Sequence, residues 1–162
     1  MKTLTSLVLT IVLSTSLLSQ TKDGFKGYKW GTPVDKMKEE FALTLLTGDE
    51  RDALYTSNVE KIGNADLFQC LFSFYKGRFS MITMVTLDSH SSKALLRIVQ
   101  DAYGKAQLKD KSFHMWPNLF KDTEAKFGMV DDMATFLLFS KTFQRQQKLD
   151  EEEAAKRGKD EL

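Results

Sequence analysis

The chain has 162 residues, with 23 lysines and arginines against 22 aspartates and glutamates, for a formal charge of +1. Nucleic-acid binders concentrate a basic excess on one face, whereas here acids and bases mix along the whole length, so no polyanionic partner is implied. Cys70 is the only cysteine, which excludes an internal disulfide and the small disulfide scaffolds, and leaves packing alone to hold the fold.

The N-terminus reads as an export signal. Lys2 precedes an uncharged stretch at 4–18 that is apolar but diluted by Thr5, Ser6, Thr10, Ser14, Thr15 and Ser16, the pattern of a cleavable secretory leader. It is shorter than the ~20 apolar residues that span a bilayer. Small residues place cleavage after Ser16 or Ser19, and no cysteine lies nearby to accept a lipid. The expected organisation is a signal peptide at 1–19, a single α+β domain at 20–143 and a polar helical or frayed tail at 144–162. Loss of 1–19 takes Lys2 and no acid, leaving a formal charge of zero. Roughly 140 residues remain, enough for one domain with its own core.

Residues 25–30 suggest a short strand that Gly31 breaks. Thr32 as N-cap, Pro33 at the first helical position and Asp35 in the first turn predict a helix over 33–41, with Val34, Met37 and Phe41 on one face. Residues 54–62 alternate weakly, and Gly63-Asn64 is a two-residue turn into a strand over 65–75. There Phe68, Cys70, Phe72 and Phe74 share one face, opposite Gln69 and Ser73. Lys76-Gly77 turns the chain, and Phe79, Met81, Val85 and Leu87 repeat the alternation, so 54–87 reads as an antiparallel meander. Ser89, Ser91 and Ser92 offer N-caps for a second helix, with Leu95, Ile98, Val99 and Ala102 on its inner face and Gly104 as its stop. Strands follow at 113–116, ended by Pro117, and at 123–130, where Ala125, Phe127 and Met129 oppose Glu124 and Lys126. Asp131-Asp132 turns into a run at 133–139 that is apolar on both faces, the mark of a central strand. From Lys141 the chain is polar, and acids preceding bases by three or four residues suit an exposed helix. The fold class is therefore α+β, an antiparallel sheet from two helix-plus-three-strand units with a polar C-terminal helix.

The run Phe25-x-Gly27-x-x-Trp30-Gly31-Thr32-Pro33, then Ala102-Tyr103-Gly104 and Trp116, resembles a group of small uncharacterised exported bacterial proteins. More remotely, the helix-plus-meander order is similar to the β-lactamase-inhibitor-protein and outer-membrane-assembly lipoprotein folds. That resemblance implies binding to other proteins, by analogy of fold alone.

No familiar catalytic equipment emerges. Cys70 alternates with phenylalanines, which buries a thiol and raises its pKa. His90 and His114 have no metal-ligand spacing, and no nucleophile elbow or Gly-rich phosphate loop occurs. Asp49, Glu50 and Asp52, and Asp131-Asp132, match no calcium loop. No cofactor and no metal is expected. Among 12 phenylalanines and two tryptophans most fall at strand periods, but Tyr28, Trp30 and Trp116 flank turns. They either plug the ends of the sheet or form an exposed platform for a peptide or sugar, and the partner expected is a protein or peptide.

The last four residues, Lys159-Asp160-Glu161-Leu162, spell an endoplasmic-reticulum retention address. The functional expectation is an exported, non-enzymatic binding or envelope-interaction protein of the periplasm or exterior, without stable membrane insertion once the signal is removed. The alternatives are a client-assisting protein of the endoplasmic-reticulum lumen, or a hydrolase using His90 or His114 with an acid such as Asp88.

Overall fold

A computed structural model describes residues 23–49, 52–110 and 112–160, with backbone only at 108, 109 and 158–160. The expected signal peptide at 1–19 and the final Glu161-Leu162 of the terminal tetrapeptide lie outside the described residues.

The chain opens with a hairpin where one strand was expected. Strands β1 (Gly24–Phe25) and β2 (Tyr28–Lys29) pair around Lys26 and Gly27, both at positive φ. The next helix, α1, covers only Asp35–Lys38, far less than 33–41. Its start is delayed because the backbone before it bonds elsewhere: Gly31 N donates to Phe79 O at 2.8 Å, Phe79 N to Thr32 O at 2.9 Å, and Val34 N to Gly77 O at 3.3 Å. Thr32 caps nothing; its hydroxyl donates to Lys29 O at 2.7 Å. Beyond the helix Ala42 turns left-handed, and Phe41 and Leu43 on either side of it are buried in the core.

Two strands then form a hairpin, β3 (Thr44–Gly48) and β4 (Asp52–Thr56). The expected strand at 54–62 ends at Thr56, where Ser57 leaves the ladder and its hydroxyl donates to Cys70 O at 2.9 Å. The Gly63-Asn64 turn is present, but it joins two-residue strands β5 (Lys61–Ile62) and β6 (Ala65–Asp66) in a separate small hairpin.

The long strands carry the core. In β7 (Gln69–Tyr75), Cys70, Phe72 and Phe74 point inward as expected. Phe68 does not; it precedes the strand and is 62% exposed. In β8 (Arg78–Thr86) the inward set is Phe79, Ile82, Met84 and Thr86, correcting the even alternation expected for Met81, Val85 and Leu87. The cause is a register shift in which Ser80 is the extra residue between the pairs Ser73–Met81 and Phe74–Phe79. An extra residue reverses which face all later side chains occupy. Ser80 Oγ donates to Ser73 O at 3.0 Å across the irregularity.

Helix α2 (Ser89–Tyr103) is capped by Asp88 and not by the serines: the Asp88 carboxylate accepts from Ser91 N at 2.8 Å. Ser92 instead lies buried, donating to Asp132 O and bonding the Thr86 hydroxyl, each at 2.7 Å. Gly104, at φ +79, ends the helix by donating to Gln100 O. A brief strand β9 (Leu108–Lys109) leads into β10 (Phe113–Trp116), β11 (Thr123–Val130) and β12 (Met133–Ser140), and α3 (Lys141–Asp160) closes the described chain. Among the described residues no helix is long and apolar enough to cross a membrane.

The sheet has eight strands in the order β3-β4-β7-β8-β12-β11-β10-β9, antiparallel throughout. The expected α+β class with an antiparallel sheet is the fold observed, except that each half supplies four strands and not three. The halves meet where β8 pairs with β12, which makes the doubly apolar β12 central as expected. One face is sealed by α1, α2 and the two small hairpins over a core of Phe25, Met37, Ile62, Phe72, Leu95, Phe127 and Phe136. The opposite face holds half-buried side chains, among them Leu71, Val85 and Leu137.

Candidate binding surface

The three aromatic residues expected to bind stand in different surroundings. Trp116 is 1% exposed; its indole N–H donates to Gly104 O at 3.0 Å, and its ring stacks with His114. Trp30 is half-buried, packs on Phe79 at 4.9 Å and donates to the Thr123 hydroxyl at 2.9 Å. That hydroxyl donates in turn to Asp23 Oδ1 at 2.9 Å, so Trp30 ties the first hairpin to β11. Tyr28 sits at the rim, edge-on to Phe41 at 5.5 Å, with its hydroxyl donating to Glu40, a bond that raises its pKa. The ring contacts of the three share no partner. Two of the three indole and phenol rings thus act as joints of the fold.

The titratable residues weighed for catalysis are also accounted for locally. Burial pushes the Cys70 thiol up to about 11, out of the nucleophilic range at neutral pH. His114 is buried, edge-on to Phe127 at 5.9 Å. His90 lies exposed in the first turn of α2, and Asp88 is held below its ordinary pKa first by the Ser91 backbone bond and more weakly by the charge of His90. Among the described residues no group of three or more histidines, cysteines or acids is placed to hold a metal ion.

What the sequence did not reveal is the outer edge of the sheet. Among the described residues strand β3 has no neighbour on its far side, and all five of its residues are exposed. Thr44-Leu45-Leu46-Thr47-Gly48 contains no lysine, arginine or proline, the residues that commonly guard such edges. Leu45 and Leu46 are each 53% exposed, and a register shift between Leu45 and Thr47 leaves Leu46 without a cross-strand partner in β4. The turn that presents this edge depends on Gly48 at φ +106, where a Cβ would fall 1.8 Å from Asp52 O. Asp49 closes it, its carboxylate accepting from Asp52 N at 3.1 Å.

Helix α3 crosses the half-buried sheet face next to this edge. Phe143, Gln147 and Asp150 are its inward residues, at spacings of four and three. The Asp150 carboxylate accepts hydrogen bonds from the Tyr75 hydroxyl, the Lys76 ammonium and, at 2.8 Å, the Gln146 amide. These donors, Lys76 first, hold it well below the usual carboxylate range. Between helix and sheet lies a cleft of about 180 Å³ whose lining includes Thr47, Asp52, Leu54, Ser73, Met81 and Gln147. A smaller one of about 110 Å³ adjoins it, sharing Asp52, Tyr75 and Gln147 and adding Asp150 and Glu151. Pockets for drug-sized ligands and cofactors run to ~300–1,000 Å³, so the cleft suits one side chain of a larger partner.

A second apolar area lies at the end of the sheet remote from the start of α3, where Leu87, Met133 and Val130 are exposed and the last two are cross-strand partners. Comparison of the chain with models of known families, with curated proteins and with solved structures returned no match.

Proposed function

We propose that this protein is an exported, non-enzymatic binding module that takes up an extended segment of a partner protein along β3. The observation that carries the reading is the bare, uncharged edge strand with two half-exposed leucines. Such an edge offers a row of backbone donors and acceptors, and strand addition uses these for affinity and alternate side-chain pockets for specificity. The cleft beside Thr47 supplies one such pocket. The leader expected at 1–19 supports an encounter outside the cytosol, in the periplasm or beyond, where an envelope protein is the natural partner.

Photo-crosslinking in the native host tests the reading. A photoreactive residue at Leu45 or Thr47 should give discrete crosslinked products that are absent when it replaces exposed Asn118. A β3 probe that yields nothing beyond the Asn118 background would overturn it. N-terminal sequencing of the same material should begin at Leu17 or Gln20, and an intact Met1 would remove the exported location.

A further inference from the structure

Resting on the edge-binding reading above, we infer that the segment taken up by β3 is basic, with a lysine or arginine lying beside Thr47. Thr47 and Leu54 are cross-strand partners and both line the cleft, so a residue added next to Thr47 on that face stands at its mouth. Neighbouring strands are ~4.8 Å apart, a step that a long side chain spans and a short one does not. The lining suits the two parts of such a side chain. Leu54 and Met81 offer apolar surface to an alkyl stem, while Asp52, Asp150 and Glu151 stand at the far end where a cationic head would arrive.

Of the acids that line the two clefts, Asp150 is already bonded to Lys76, and Asp52 and Glu151 add two further carboxylates. A lining of that sign favours cationic partners and rejects acidic ones. The cleft's volume of about 180 Å³ is on the scale of one long side chain.

The test uses three ten-residue β-forming peptides, identical and otherwise uncharged, with arginine, glutamine or glutamate at the centre. Affinity is measured by fluorescence anisotropy at two salt concentrations, and β3 occupancy by amide hydrogen exchange at 45–47. The arginine peptide should protect these amides and bind roughly tenfold tighter than the glutamine peptide, the size of one charge-assisted hydrogen bond. That advantage should shrink in high salt and in the Asp52→Asn/Glu151→Gln variant, whose thermal midpoint serves as the check on folding. Equal binding and equal protection by the arginine and glutamine peptides would overturn the basic preference and leave edge binding intact. Failure of all three to protect β3 would overturn both.

Discussion

The Asp150 carboxylate on α3 accepts a hydrogen bond from the Tyr75 hydroxyl at the end of β7, joining positions 75 residues apart. This bond and the Lys76 contact fix the helix over the sheet and so form one wall of the cleft. Inward-facing apolar residues on α3 are few, Phe143 being the main one. The carboxylate therefore carries much of the docking.

Docking of α3 should weaken in acid. Asp150 is depressed in the folded state, so its contribution is fully present above the ordinary carboxylate value of about 4 and is lost as pH falls through the lower folded value. Lys76 is raised by the same pair, and its share is lost only in strong alkali, as pH rises through its folded value. Amide exchange at 144–151 should accelerate below about pH 4 before exchange in β7 and β8 does. Asp150→Asn should show the faster exchange already at pH 7, with a flattened acid dependence. A wild-type α3 that exchanges in step with the sheet at every pH would show that the pair does not hold the helix.

Where periodicity and burial coincide, the sequence was readable. β7, β11, β12 and α2 each bury one regular face, and the Asp131-Asp132 turn joins β11 to β12 as expected, whereas the Gly63-Asn64 turn closes a separate small hairpin, β5 with β6, in place of the meander strands. The misreadings have local causes. The extra residue Ser80 reverses the faces of β8, and nothing in a run of apolar residues marks which one is extra. The helix at 33–41 was cut short because residues 31–34 bond to 77–79, a pairing invisible to propensity. β3 escaped notice because a fully exposed edge has no alternation; the Gly48-Asp49 turn after a pair of leucines was the available signal. Tyr28, Trp30 and Trp116 were identifiable as turn-flanking aromatics, but their separate surroundings depend on contacts with Phe41, Phe79 and His114 that only the fold supplies.

The aromatic joints should rank by burial. Trp116→Phe removes the indole donor to Gly104 O and part of a ring that is 1% exposed, a core-truncating change of the kind that costs about 1–3 kcal/mol. Tyr28→Phe removes a bond at an exposed rim and should cost within about 0.5 kcal/mol. Urea midpoints at unchanged slope measure both. Equal midpoints for the two variants would contradict the assignment of Trp116 to the core.

Two glycines separate steric from conformational cost. Gly77→Ala meets nothing within 4 Å, so it pays only for φ +68 and should lose about 1 kcal/mol. Gly48→Ala adds a Cβ 1.8 Å from Asp52 O and must displace the backbone of the hairpin. It should lose more than the Gly77 variant, and the loss should be local, with faster amide exchange at 45–47 while the β7–β8 centre is unchanged. A Gly48 variant that keeps β3 protected as in the wild type would show that the hairpin has another way to turn.

A charge placed on the bare edge should separate binding from folding. Leu46 is exposed and lies at the register shift, so Leu46→Lys removes little packing and should change stability by no more than about 0.5 kcal/mol. Lysine is also the residue by which edge strands are ordinarily guarded, since an incoming strand must desolvate the ammonium or hold it away from the interface. Here it would further repel a cationic segment drawn by the cleft-lining Asp52 and Glu151. The variant should keep the wild-type thermal midpoint yet lose the crosslinks from Thr47 and the protection conferred by the arginine peptide. Retention of both would mean that the partner approaches some other part of the surface, and the bare sheet end at Leu87, Val130 and Met133 would then be the next place to probe.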